Sequence, residues 1–96
     1  MRVMLKATLD TEKANEVIHS GKLQELIKSV LEKTKPEAAY FGPVDGRRTC
    51  FLIFDMKDSS ELPPTGEPFF SDLNAKVEVS PIMNLEDLQK GLSQLG

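Results

Sequence analysis

The chain has 96 residues and a mass of 10.7 kDa, which leaves room for one domain, residues 1–96, built around a single small core. A composition of 40% hydrophobic and 28% charged residues, with 6 Gly, 6 Pro and one Cys, excludes collagenous, disordered and disulfide-scaffold classes. The net charge is −3, the pI is near 5.1 and the arginines are Arg2, Arg47 and Arg48 alone, so no nucleic-acid partner is expected.

Residues 2 to 8 alternate, with Val3, Leu5 and Ala7 on one face and Met4, Lys6 and Thr8 on the other, which predicts a half-buried strand. Charge at Lys6 and acids from Asp10 onward deny this N-terminus the apolar stretch of a signal peptide, so the whole chain is read as the mature protein. No run approaches the roughly 18 apolar residues of a membrane span. Asp10 or Thr11 can N-cap a helix whose apolar positions are Ala14, Val17 and Ile18. Leu23, Leu26, Ile27, Val30 and Leu31 continue at helical spacing but out of phase, which predicts two helical pieces broken at Gly21.

Beyond Lys35-Pro36, where helix is disfavoured, the segment from 37 to 55 is predicted to form a β-hairpin around Asp45-Gly46. Asp58 to Glu61 can open a short turn, which Pro63-Pro64 interrupts. Thr65 or Gly66 then caps a helix through Phe69, Phe70 and Leu73, with Pro68 in its first turn and Asn74 as its stop. Residues 75 to 83 alternate again, Ala75, Val77 and Val79 against Lys76, Glu78 and Ser80, and predict a fourth strand. Asn84 caps a last helix carrying the stripe Leu85, Leu88, Leu92 and Leu95.

The order βαββαβ plus a C-terminal helix specifies an α+β, ferredoxin-like sandwich: an antiparallel four-stranded sheet with its two connecting helical layers on one face. Strand composition then makes a further demand. Cys50, Leu52 and Phe54 are apolar on one side of the third strand, and Phe51 and Ile53 are apolar on the other, which a solvated sheet back does not need. A second copy packed back to back, as a dimeric α/β barrel, is the economical cover. Otherwise the leucine stripe folds back over the sheet, or reaches across to a partner.

The blocks Lys35-Pro36-Glu37-Ala38-Ala39-Tyr40-Phe41, Asp45-Gly46-Arg47-Arg48-Thr49, Phe54-Asp55, Glu67-Pro68-Phe69-Phe70, Asn74-Ala75-Lys76-Val77-Glu78 and Pro81-Ile82-Met83 resemble a group of small bacterial proteins of unknown function, itself similar to the dimeric α/β-barrel superfamily. The resemblance spans nearly the whole chain and implies the ferredoxin-like fold and a homodimer. The wider superfamily includes muconolactone isomerases, cofactor-independent antibiotic-biosynthesis monooxygenases, haem-degrading enzymes and stress-responsive barrel proteins, so it implies no single chemistry.

Lys6, Tyr40 or Phe41, Phe51, Ile53, Lys76 and Glu78 share the second sheet face and are the candidate ligand-binding set, apolar wall with a few charges to orient a small aromatic or carboxylated metabolite. Lys6 and Glu78 can instead form a structural ion pair. A Glu78 desolvated beside Phe51 would serve as a general base, the isomerase or monooxygenase alternative, with Tyr40 as a second proton-transfer group. Arg48, beside Arg47, could clamp a carboxylate, or both could simply be solvated. Cys50 has only His19 as a conceivable nucleophilic partner, and a buried structural thiol is the simpler reading. His19 is also the sole candidate for a haem ligand. No metal cluster, GxSxG, P-loop, HExxH or GxGxxG pattern occurs, so no metal or cofactor is expected. One cysteine and no leader point to a reducing cytoplasm. A purely structural module, its sheet face consumed by dimer contact, is the third possibility.

Overall fold

The computed structural model describes residues 1–96. Strands β1 (Arg2–Thr8), β2 (Ala38–Val44), β3 (Arg47–Asp55) and β4 (Lys76–Pro81) alternate with helices α1 (Thr11–His19), α2 (Lys22–Thr34), α3 (Leu62–Leu73) and α4 (Leu85–Ser93). All strand pairs are antiparallel and the sheet order is β2-β3-β1-β4, with β1 and β3 central. This is the ferredoxin-like α+β arrangement.

Local chemistry explains most boundaries. Asp10 accepts a hydrogen bond from the Lys13 N–H at 2.9 Å and starts α1. Gly21, at φ 78°, separates α1 from α2 and reorients the apolar stripe. Asp45 and Gly46 both have positive φ, 52° and 75°, the geometry of the tight turn that suits strand twist. Asn74 ends α3 at φ 47°. Lys35 ends α2 in the same left-handed region at φ 46°, which its residue type did not announce.

The start of α3 differs from expectation. A single 3₁₀ turn, Ser59–Glu61, is closed by a capping box in which Glu61 accepts from the Asp58 N–H at 2.9 Å. The helix then begins at Leu62, earlier than Thr65, because Pro63 and Pro64 occupy a first turn whose N–H groups have no intrahelical acceptor. Pro68 lies inside α3, not in its first turn, and cannot donate to the Pro64 carbonyl. Strand β4 is also shorter than expected, ending at Pro81.

The core occupies one side of the sheet. Val3, Leu5 and Ala7 of β1 and Cys50, Leu52 and Phe54 of β3 meet Ala14, Val30, Phe69 and Leu73 from α1, α2 and α3. Only 16 of the 96 residues are buried, so the hydrophobic stabilisation of the isolated chain is small. The radius of gyration, 15.1 Å, exceeds the about 13 Å of a compact 100-residue domain. Much of the surplus reflects α4, which leaves the domain without burying any residue.

Helix α4 is nevertheless well formed. The Asn84 side chain accepts from the Asp87 N–H at 2.8 Å, and Asp87 accepts in return from the Asn84 N–H at 3.2 Å. Asp87 also pairs with Arg2 at 3.3 Å, which ties the first turn of α4 to the start of β1. Leu85, Leu92 and Leu95 are 68%, 55% and 82% exposed. The stripe therefore does not fold back over its own sheet, and that alternative is removed.

Candidate functional site

Register places four of the candidate residues in one row across the sheet. Tyr40 of β2 pairs with Phe51 of β3, Phe51 with Lys6 of β1, and Lys6 with Glu78 of β4. Directly paired residues of an antiparallel ladder point to the same face, so the row stands on the side away from the helices. Ala38, Ile53, Met4 and Ser80 form the next row, and Gly42, Thr49, Thr8 and Lys76 the one on its other side. The middle of the open face is thus apolar, from Tyr40, Phe51, Ile53 and Met4, with Lys6 at its centre and charge along the β4 edge.

Strand alternation settles two open choices. Tyr40, 66% exposed, belongs to this face, whereas Phe41 points to the helix side. Arg48 also falls on the helix side, exposed near the Asp45-Gly46 turn, so it does not join the set; Arg47 shares the parity of the open face.

The charges pair differently from expectation. Glu78 lies 3.7 Å from Lys76, two residues along its own strand, and not against Lys6. Lys6 is half-buried and takes part in no ion pair. Nor does Glu78 sit beside Phe51: Lys6 stands between them, and the Glu78 side chain is 53% exposed on an edge strand.

Cys50 faces the core at 2% exposure, and burial pushes its thiol up to about 11. His19 is exposed in the last turn of α1, so the two do not form a nucleophilic pair. No group of three His, Cys, Asp or Glu converges to hold a metal ion. No helix is long and apolar enough to cross a membrane.

Three concave features that sequence reasoning missed lie on the helical side. A cleft of about 510 Å³ lies between α2 and α3, with Lys13, Lys22, Glu25, Lys33 and Asp72 among the residues on its walls. An apolar groove of about 710 Å³ runs between α2 and Phe41. A narrower crevice of about 230 Å³ lies between α3 and β4. The cleft and the crevice are assembled from segments distant in sequence, which no local pattern announces.

The open face itself is a sheet surface and not a cleft, so it becomes a small-molecule site only when something forms a second wall. Comparison with curated proteins returns no match. Over residues 1–96 the chain matches the domain of unknown function DUF3303, and it belongs to that family.

Proposed function

We propose that this protein is a homodimer of the dimeric α/β-barrel type whose two open sheet faces enclose a binding site for a small aromatic or carboxylated metabolite. The observation that carries this reading is the row Tyr40, Phe51, Lys6 and Glu78: two aromatic rings beside a half-buried lysine that takes part in no ion pair, on a sheet face that nothing in the chain covers. Rings supply contact area and Lys6 supplies one charge to orient a carboxylate. The single buried thiol suits a reducing cytoplasm.

Light scattering across a concentration series tests the assembly, and a thermal-shift screen of aromatic acids tests the ligand. A mass of twice 10.7 kDa and stabilisation by aromatic acids that weakens in Lys6→Met are expected. A monomer at high micromolar concentration removes the enclosed site. A dimer whose interior is filled by side chains, with no stabilising acid, assigns the face to assembly alone.

A further inference from the structure

Thr65 of α3 is only 7% exposed, yet its hydroxyl takes part in no hydrogen bond within the chain. Other hydroxyls in the cleft between α2 and α3 are spent: Thr34 donates to the Val30 carbonyl and Ser71 to the Glu67 carbonyl, each at 2.9 Å. No fully enclosed side-chain nitrogen or oxygen lacks a partner, so the Thr65 Oγ1 reaches accessible space. It borders two hollows. The α3–β4 crevice, walled by Leu5, Leu62, Phe70, Val77 and Val79, offers no polar side chain, whereas the α2–α3 cleft of about 510 Å³ is largely polar. A ligand seated in the cleft therefore meets an unspent, nearly buried hydroxyl.

Chain direction sorts the charges there. The leg of α1 and α2 returns from β1 to β2, and α3 returns from β3 to β4; β1 and β3 are antiparallel, so α2 and α3 are antiparallel as well. Lys33, near the end of α2, thus lies at the same end of the cleft as Thr65, while Lys22 and Glu25 lie at the other end with Asp72. None of these four charged groups takes part in an ion pair, and Lys13 pairs with Glu16 at 3.7 Å. One end carries a lone positive charge and the other a negative excess. Between them the floor is apolar, with Val30 buried and Leu26 and Pro68 half-buried.

We propose that this cleft is a second binding site, separate from the open sheet face and independent of any dimer, for a short zwitterionic peptide. Its carboxylate meets Lys33 and the Thr65 hydroxyl, and its ammonium lies toward Glu25 and Asp72. A simple anion is matched at one end and opposed at the other; a ligand carrying both signs is matched at both. Length agrees, because Thr65 to Asp72 spans about 10 Å of helix, and three extended peptide residues cover about 10 Å. The Pro64 carbonyl, which Pro68 leaves without its helical N–H, belongs to the same wall and is an acceptor for a peptide N–H.

Chemical-shift mapping of the isotope-labelled full chain with the tripeptide alanyl-leucyl-alanine tests this. Saturable shifts in residues 22–34 and 62–73 are expected, with Kd rising at least tenfold in Lys33→Met and in Thr65→Val. The N-acetylated peptide and the peptide amide, each lacking one charge, are expected to bind at least tenfold more weakly than the parent. Thr65→Val is also expected to leave the thermal midpoint unchanged or higher, since it breaks no hydrogen bond. No saturable shift at about 10 mM peptide, shifts centred on β1 and β3, or equal binding of the acetylated form overturns the assignment. So does an unchanged Kd in Lys33→Met, an exposed position that leaves the core intact and decides the matter if Thr65→Val fails to fold.

Discussion

Lys6 and Glu78 are direct cross-strand partners on the open face, yet the Glu78 carboxylate lies 3.7 Å from Lys76 and Lys6 has no ion pair. A cross-strand pair of opposite charges contributes about 0.2–1 kcal/mol where it forms. Here that contribution is absent: Lys6 stands between Phe51 and Glu78 across the sheet and takes part in no ion pair. The edge pair Lys76–Glu78, 75% and 53% exposed, is in contrast an ordinary solvated contact.

Lys6→Met therefore separates binding from stability. Thermal unfolding is expected to change by less than about 0.5 kcal/mol, because no pair is broken. Affinity for an aromatic carboxylate is expected to fall about tenfold or more, the loss of one charge-assisted hydrogen bond. Titration calorimetry checks it, with Glu78→Gln, which leaves Lys6 in place, expected to stay within about twofold of the parent.

Phe51 and Ile53 are half-buried on the open face and contribute nothing to the core. If the proposed dimer forms, Phe51→Asp is expected to convert it to a folded monomer of 10.7 kDa, since a carboxylate stranded between two apolar sheets costs several kcal/mol of association. Sedimentation with parallel circular dichroism decides it: a dimer of unchanged mass contradicts the back-to-back arrangement.

Phe69 of α3 is fully buried against β1 and β3. Phe69→Ala is expected to destabilise the fold by about 3–5 kcal/mol, a large share of what so small a core supplies. Urea unfolding under conditions that keep the protein monomeric measures this. Leu95→Ala, at 82% exposure in the chain, is expected to change monomer stability by less than about 0.5 kcal/mol.

Lys35 holds the left-handed conformation at φ 46° without a side-chain reason to do so. Lys35→Gly is expected to raise stability by about 0.5–1 kcal/mol, the relief of that strain less the extra chain entropy of glycine. Asn74→Ala, at φ 47°, works the other way and is expected to cost about 1 kcal/mol. Chemical denaturation midpoints at constant slope give both values.

Acid stability follows from the sheet end. Asp55 accepts a hydrogen bond from the N-terminal ammonium at 2.7 Å, which lowers its pKa; Asp58 is lowered by hydrogen bonds from the Ser60 hydroxyl and N–H. A carboxylate whose native pKa is depressed contributes stability above its unfolded value of about 3.9 and loses it as pH falls through the lower native value. Urea midpoints are therefore expected to drop below about pH 4, with a shallower drop in Asp55→Asn. An unchanged acid limb in that variant shows that the terminal contact does not contribute.

Much of the fold was written locally. Alternation in residues 2 to 8 and 75 to 83, the phase change at Gly21, the Asp45-Gly46 turn and the Asn84 cap are short-range signals, and each produced its element, β4 with a shorter span than its alternation, because dihedral preference and hydrophobic period agree there. The α3 boundary was misjudged because prolines read as breakers are tolerated in a first turn, a distinction that depends on where the helix begins and not on the residue type. The sequence by itself thus determined the element order, the sheet topology and the two-sided apolarity of β3. Only the tertiary structure decided which candidates meet. Register aligned Tyr40, Phe51, Lys6 and Glu78 in one row, sent Arg48 to the other face and gave Glu78 to Lys76, while the exit direction of α4 left its leucines bare. Cross-strand pairing and helix direction are set by long-range packing, to which no local pattern of residues is sensitive.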